Sequence, residues 1–172
     1  SFDITDALKP SGDQEIIVAV WDPTDRGPQA KGKQVLRPGG IMYTATSGIW
    51  QTAWLEPVET AHIESLRITP NLDASLVVID VHALAANQST ITVAVLDGGK
   101  VVNKSQTTNK GHLVSMQIQH TFGLGLPKPK RWSPDSPFLY DLRITLSQNG
   151  KVVDEVKSYF GMRKIALGKD AQ

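Results

Sequence analysis

Short runs rich in Val, Ile and Thr recur along this chain and constrain its fold more than any other feature. They are separated by Gly, Asn, Asp and Pro, and no segment carries the sustained apolar period of a helix. From residue 58 onward the runs predict seven strands, at 62–69, 75–82, 90–96, 100–106, 112–119, 138–147 and 151–160. Seven short strands over about 100 residues are typical of an immunoglobulin-like β-sandwich, so the chain is predicted to be all-β.

Two of these runs alternate apolar and polar residues, which predicts the side that faces the core. The predicted inward-facing residues are Ile91, Val93 and Val95 in one run and Leu142, Ile144 and Leu146 in the other. The segments 97–99 (Asp-Gly-Gly) and 148–150 (Gln-Asn-Gly) contain the residues that tight hairpins with positive φ require. Each is therefore predicted to join two neighbouring antiparallel strands.

Composition excludes several classes of partner. Hydrophobic residues make up 40% and charged residues 20% of the chain, values near those of folded globular domains. A formal net charge of +1 gives no broad positive field, so nucleic acid is not expected as a partner. The longest apolar runs are too short to cross a bilayer, so no membrane partner is expected either. Because the chain has no cysteine, disulfides and thiolate metal sites are excluded.

No catalytic residue and no metal ligand is predicted. Hydrolysis by a pair of carboxyl groups, for example, needs two such groups that face each other across a bond. Asp154 and Glu155 are adjacent on a predicted strand, so their side chains should point to opposite faces. Glu56 and Glu59 flank the predicted linker and are expected in solvent. The histidines lack the short spacing of metal ligands: they are His62, His82, His112 and His120.

The aromatic residues are interpreted as structural. Trp50 and Trp54 lie four residues apart on a predicted strand, hence on one face, where burial against a second sheet is expected. Trp132 precedes a proline-fixed bend and is expected to close the end of the sandwich. The run 16–20 (Ile-Ile-Val-Ala-Val) predicts a strand that is buried on both faces, and 52–55 predicts another strand.

Five segments, in order, are similar to one enzyme family. The clearest is 41–57, IMYTATSGIWQTAWLEP, followed by 132–140, WSPDSPFLY, and 159–164, YFGMRK. Upstream, 2–8 (FDITDAL) and 22–34 (DPTDRGPQAKGKQ) resemble the same family. These segments resemble glycoside hydrolase family 2, in its β-galactosidase-like bacterial members, over nearly the whole chain.

The resemblance implies a domain order of sugar-binding jelly roll, immunoglobulin-like sandwich and (β/α)8 barrel with both catalytic glutamates. Residues 1–57 would then be the C-terminal part of the jelly roll, and 58–172 the sandwich that ends at the junction to the barrel. In an incomplete jelly roll, strands 16–20 and 52–55 would lack their sheet neighbours and leave apolar faces uncovered. The segment is therefore expected to pack on the sandwich, to pair with another copy in a homo-oligomer, or to come from a longer polypeptide.

By resemblance, loops of the first segment reach the rim of the barrel's active site, where they contact substrate hydroxyls or a cation bound by the full-length parent. The residues that inherit this substrate-binding expectation are Asp22, Asp25, Lys33, Gln34, Tyr43 and Thr44. The alternative for Asp22 and Asp25 is that they brace their turn through Asx-type hydrogen bonds. Arg163 is expected to brace the junction to the barrel, and to be solvated and idle where the barrel is absent.

The leading interpretation is a non-catalytic segment of a retaining glycosidase that cleaves terminal β-glycosidic bonds, in the first place β-galactosides. It needs no cofactor of its own, and its partners would be carbohydrate, the barrel and the rest of the jelly roll. β-Glucuronidase and β-mannosidase parents stay open. The alternative is a stand-alone carbohydrate-binding or adhesion module, because a sandwich fold does not decide function. The resemblance suggests bacterial polysaccharide degradation, for which a periplasmic or secreted location is plausible, but the residues do not indicate the compartment.

Overall fold

A computed structural model describes residues 2–85, 88–110 and 116–167. The chain divides into two compact units, Ser1–Glu56 and Pro57–Gln172. Over the described residues it forms strands and one 3₁₀ turn, Thr5–Ala7. The strands are β1 (Gln34–Val35), β2 (Tyr43–Thr44), β3 (His62–Asn71), β4 (Leu76–Ala85), β5 (Ser89–Asp97), β6 (Lys100–Thr108), β7 (Met116–Gly125), β8 (Trp132–Ser133), β9 (Ser136–Pro137), β10 (Tyr140–Gln148) and β11 (Lys151–Phe160).

The second unit is a β-sandwich built from the seven long strands. One sheet has the strand order β11-β10-β5-β6 and the other the order β3-β4-β7. All neighbours in both sheets are antiparallel. The prediction of an all-β chain with a β-sandwich is confirmed.

The predicted strand 112–119 differs most from its observed counterpart, β7. Residues 112–115 lie outside the described part of the chain, and β7 continues to Gly125 instead of ending at 119. The extension exists because β7 pairs with the whole length of β4, as far as Leu76 opposite Gly125. Ladder hydrogen bonds to a long neighbour therefore keep Gly123 and Gly125 extended, although glycine weakens a strand by itself.

The core lies between the two sheets and is formed by alternate residues of each strand. All six predicted inward-facing residues of β5 and β10 are buried, and Ile144 at the centre of β10 is 0% exposed. From the facing sheet, Val77, Ile79 and Val81 of β4 join the same cluster. Each such side chain contributes about 1.5–3 kcal/mol by leaving water, so this layer dominates the stability of the unit.

The two predicted hairpin turns have the backbone that their residues favour. Gly98 and Gly99 between β5 and β6 have φ of 56° and 82°. Asn149 and Gly150 between β10 and β11 have φ of 50° and 77°. Positive φ at both central positions matches the right-handed twist of the flanking strands, which explains why these turns form tight antiparallel pairs.

Two side-chain hydrogen bonds connect the sheets, one at each open side of the sandwich. On one side, the backbone N–H of Ile63 in β3 donates to Asp154 Oδ2 in β11 at 2.8 Å. On the other side, Asn103 Nδ2 in β6 donates to the carbonyl oxygen of Gly125 in β7 at 2.7 Å. Each bond joins an edge strand of one sheet to an edge strand of the other, so backbone groups at the edges are satisfied without extra strands.

The first unit contains far less regular structure. Its strands β1 and β2 form a two-residue parallel pair, in which Gln34 lies opposite Tyr43. Within the described residues 2–56, Thr24 is the only buried residue, and most of the large apolar residues are exposed. No helix of the described residues is long and apolar enough to cross a membrane.

The predicted strands 16–20 and 52–55 are absent, and their predicted burial is wrong. Ile17 is 85% exposed, and Trp50 and Trp54 are 75% and 73% exposed. The physical reason is pairing: a strand is stable only when neighbouring strands accept its hydrogen bonds and cover its faces, and these segments have no such neighbour here. The jelly-roll origin of residues 1–57 stays a prediction.

Candidate functional site

An open cleft in the first unit brings together four of the six residues that resemblance predicted as substrate contacts. Its volume is about 400 Å³, within the range of about 300–1,000 Å³ that small-molecule sites occupy. Asp22, Lys33, Gln34 and Tyr43 line it. The other lining residues are Thr24, Ala30, Lys31, Gly32 and Trp50.

The turn 22–26 forms one wall of the cleft. The backbone N–H of Thr24 donates to Asp22 Oδ1 at 2.8 Å, and Arg26 N–H donates to the carbonyl oxygen of Pro23 at 3.1 Å. Thr24 has a φ of 59°, and Gln29 Nε2 donates to its carbonyl oxygen at 2.8 Å. Asp22 therefore makes the Asx-type bond of the alternative interpretation and also lines the cleft.

A second part of the lining is a tight turn that contains two lysines. Gln34 N–H donates to the carbonyl oxygen of Lys31 at 3.0 Å, and Gly32 inside this turn has a φ of 56°. Such a backbone is easy only for glycine, so Gly32 allows Lys31 and Lys33 to flank the turn. Lys33 is then fixed twice, because its carbonyl oxygen accepts from Tyr43 N–H at 2.8 Å and its Nζ lies 5.8 Å from the Tyr43 ring centroid.

Gln34 is oriented by a neighbour outside the cleft. Its Oε1 accepts from the backbone N–H of Thr46 at 2.8 Å and from Thr46 Oγ1 at 3.2 Å. With the oxygen engaged in this way, the Nε2 donors of the amide are the part of Gln34 that a ligand could use.

Two predicted contacts do not line the cleft. Asp25 Oδ2 accepts the backbone N–H of Leu36 at 3.3 Å, which ties this carboxylate to the residue after β1. Thr44 lies in β2 opposite Val35. Their role as substrate contacts stays a prediction.

Sequence reasoning missed five lining residues of the cleft, of which Lys31 and Trp50 have large side chains that could contact a ligand. Lys31 could have been found from the Lys-Gly-Lys spacing, because a glycine turn places the residues on either side of it near one surface. Trp50 was assigned to a buried strand face, and no local signal distinguishes an exposed ring from a buried one when the covering layer is unknown.

The cleft cannot perform acid–base hydrolysis with the residues that line it. It contains a single carboxylate, Asp22, whereas both glycosidase mechanisms need two. Among the described residues, no group of three or more His, Cys, Asp or Glu side chains is placed to hold a metal ion. The chemistry that the cleft offers is therefore binding.

A second polar assembly lies in the second unit, at residues 131–164. Arg163 Cζ lies 4.7 Å from the ring centroid of half-buried Trp132, and Trp132 N–H donates to the carbonyl oxygen of Met162 at 3.0 Å. Gly161 allows this approach, because a Cβ there would stand 3.1 Å from Trp132 Cβ. Arg163 is exposed, as expected where the barrel is absent, and its guanidinium group also lies against the Trp132 ring. Its role at a domain junction stays a prediction.

The second unit thus defines a two-sheet β-sandwich, and the first adds a cleft with sugar-compatible polar groups. The family profile of Glycosyl hydrolases family 2 matches residues 61–163, which is more than half of the chain. The chain belongs to this family.

Individual relatives agree with this assignment. A protein of Formosa agariphila, provisionally named a beta-glucuronidase, is 25% identical over 169 residues, 95% of this chain and 19% of that protein. The beta-galactosidase of Thermoanaerobacter pseudethanolicus is 23% identical over 177 aligned positions, 99% of this chain and 23% of that enzyme. The chain thus spans about a fifth of the length of these curated relatives.

A solved structure supports the fold. A glycosyl hydrolase family 2 member from Bacteroides cellulosilyticus superposes with a TM-score of 0.51 and 22% sequence identity. The similarity covers 63% of this chain and 15% of that structure. At this identity the likeness concerns the fold alone.

Proposed function

We propose that this chain is a non-catalytic scaffold segment of a retaining family 2 glycoside hydrolase. The parent enzyme would hydrolyse terminal β-glycosidic bonds, in the first place those of β-galactosides, with β-glucuronides and β-mannosides as further candidates. Both catalytic carboxylates would lie in a domain outside these residues. The names of the relatives support a glycosidase parent, and they include both a beta-galactosidase and a provisional beta-glucuronidase.

The observation that carries the proposal is the combination of family membership with the placement of the carboxylates. The family profile covers residues 61–163 of the sandwich, whose central layer is apolar. On β11, Asp154 bonds to Ile63 N–H, whereas Glu155 contacts Lys157 Nζ at 3.6 Å. This pair therefore lacks the opposed arrangement that glycoside hydrolysis requires, which supports a structural role for the unit.

In this proposal the two units have separate tasks. The sandwich is a rigid spacer that fixes the distance and orientation of the domains joined to it. The cleft residues of the first unit, Asp22, Lys33, Gln34 and Tyr43, contribute carbohydrate contacts, with Asp25 and Thr44 near the same surface. Arg163, stacked on Trp132, presents guanidinium donors to carboxylates or carbonyl groups of the adjoining domain.

The test compares the isolated chain with a longer product of its source gene. Purified residues 1–172 and the longer polypeptide are assayed with p-nitrophenyl β-D-galactoside, β-D-glucuronide and β-D-mannoside. We expect turnover of at least one substrate by the longer polypeptide and none by the isolated chain above the enzyme-free rate.

Turnover by the isolated chain would overturn the proposal, provided that it is intrinsic to this polypeptide. The control is the Asp22→Asn variant purified in parallel, since a contaminating glycosidase would be equally active in both preparations. An inactive longer polypeptide with all three substrates would also contradict a glycosidase parent of this type.

A further inference from the structure

The cleft of the first unit carries an unbalanced positive charge. Lys31 and Lys33 both line it, and its one carboxylate, Asp22, already accepts the Thr24 N–H. Some lysines elsewhere in the described chain do pair with a carboxylate: Lys130 with Asp97 at 2.7 Å, Lys157 with Glu155 at 3.6 Å and Lys164 with Asp73 at 2.6 Å. The described residues give Lys31 and Lys33 no such ion pair, so both ammonium groups are available to an anion.

The uncharged hydrogen-bond donors of the cleft also favour a ligand rich in acceptor oxygens. Gln34 has its Oε1 occupied by Thr46, which leaves its Nε2 donors for a ligand. The Tyr43 hydroxyl adds a donor and an acceptor at the cleft. The polar groups of the cleft are therefore mostly donors, and acceptor-only oxygens, as in carboxylates and sulfate esters, satisfy them best.

An exposed aromatic ring completes the cleft. Trp50 lines it and is three-quarters exposed, so its indole ring is accessible to a ligand. An indole ring offers an apolar face to the C–H face of a pyranose ring, while the lysines reach a charged substituent on the same sugar. A small inorganic anion would use the lysines and leave the ring uncovered.

We propose that this cleft binds an acidic sugar, through a carboxylate or sulfate ester held by Lys31 and Lys33 and a pyranose face on Trp50. The inference rests on the proposed function, since it takes the first unit as the carbohydrate-contacting part of a glycosidase. It concerns the sugar in the cleft and leaves open which glycosidic bond the parent enzyme cleaves.

The test measures the affinity of the full 172-residue chain for matched pairs of sugars by isothermal titration calorimetry at low salt. Methyl β-D-glucuronide is compared with methyl β-D-glucoside, which differs only at C6, and methyl β-D-galactoside 6-sulfate with methyl β-D-galactoside. We expect at least one charged sugar to bind about tenfold more tightly than its neutral partner, as charge-assisted hydrogen bonds imply. The two pairs distinguish a carboxylate from a sulfate as the bound group.

Variants test whether the preference for charged over neutral sugars arises in the cleft. The K31M/K33M double variant should lose it, whereas K31R/K33R should keep it. The matched control is K9M/K100M, which removes the same net charge from residues that do not line the cleft and should behave like the unaltered chain. Equal affinity for charged and neutral sugars, no binding of either charged sugar, or a preference that persists in K31M/K33M would each overturn the proposal.

The two proposals fail in different ways. Turnover of a nitrophenyl glycoside by the isolated chain would contradict the scaffold function and leave the affinity comparison unaffected. An absent charge preference would contradict the acidic-sugar site and leave the scaffold function standing.

Discussion

The two units of this chain have nearly the same fraction of hydrophobic residues and use them in opposite ways. In the second unit, apolar side chains from two sheets form one buried cluster. In the first, described residues such as Ile17, Trp21 and Trp54 are exposed. Composition alone therefore does not decide whether a region forms a core.

The difference lies in the strand neighbours that each unit supplies for itself. Residues 57–167 contain seven long strands, so each long apolar run finds a partner within the same unit. The first unit has only the short pair β1–β2 among its described residues. A run such as 16–20 then has neither hydrogen-bond partners nor a facing layer, and hydrophobicity without these gives no stable strand.

The largest expected effect compares one isoleucine from each unit. Ile144→Ala removes a fully buried side chain from the centre of β10, so we expect the free energy of unfolding to fall by about 2–5 kcal/mol. Ile17→Ala removes an exposed side chain and should change the free energy of unfolding by less than about 0.5 kcal/mol. Urea unfolding followed by circular dichroism checks both. A comparable loss for Ile17→Ala would show that residues 16–20 are covered in solution and would break the comparison.

A medium effect is expected where a carboxylate accepts a backbone N–H in each unit. Asp154→Ala leaves the N–H of buried Ile63 without its acceptor and removes a hydrogen bond between the two sheets. We expect the free energy of unfolding to fall by about 1–3 kcal/mol. Asp25→Ala removes a longer bond, 3.3 Å to Leu36, at an exposed position and should cost less than about 0.5 kcal/mol. The measurement is the denaturant midpoint of each variant, compared at equal m-values. Equal midpoint shifts for the two variants would contradict the predicted effect of burial.

The smallest effect concerns two exposed arginines. Arg163→Ala removes the stacking on Trp132 and should destabilise the second unit by about 0.5–1 kcal/mol. Arg37→Ala, in the first unit, removes an exposed side chain without such a contact and should be neutral within about 0.5 kcal/mol. The melting temperatures of both variants, from thermal unfolding, measure this difference. If the Arg163 variant were also neutral, the stack would organise the surface without adding stability.

Local sequence patterns were sufficient to predict much of the sandwich. The alternation of residues 91–95 and 142–146 identified the inward faces of β5 and β10, because the side-chain period of a strand is two. The glycines at 98, 99 and 150 located two hairpin turns, since few other residues adopt positive φ. For the cleft, resemblance supplied Asp22, Lys33, Gln34 and Tyr43 but missed lining residues such as Lys31 and Trp50.

What the sequence by itself determined is therefore the all-β class, the strand periodicity and the turns, which depend on neighbouring residues in the chain. Only the tertiary structure decided that β7 continues to Gly125, that Asp154 reaches Ile63, that Arg163 stacks on Trp132 and that residues 16–20 stay uncovered. Each of these outcomes depends on a partner distant in sequence, or on its absence. A local pattern states how a segment could fold, whereas burial and pairing depend on which other segment occupies the adjacent space.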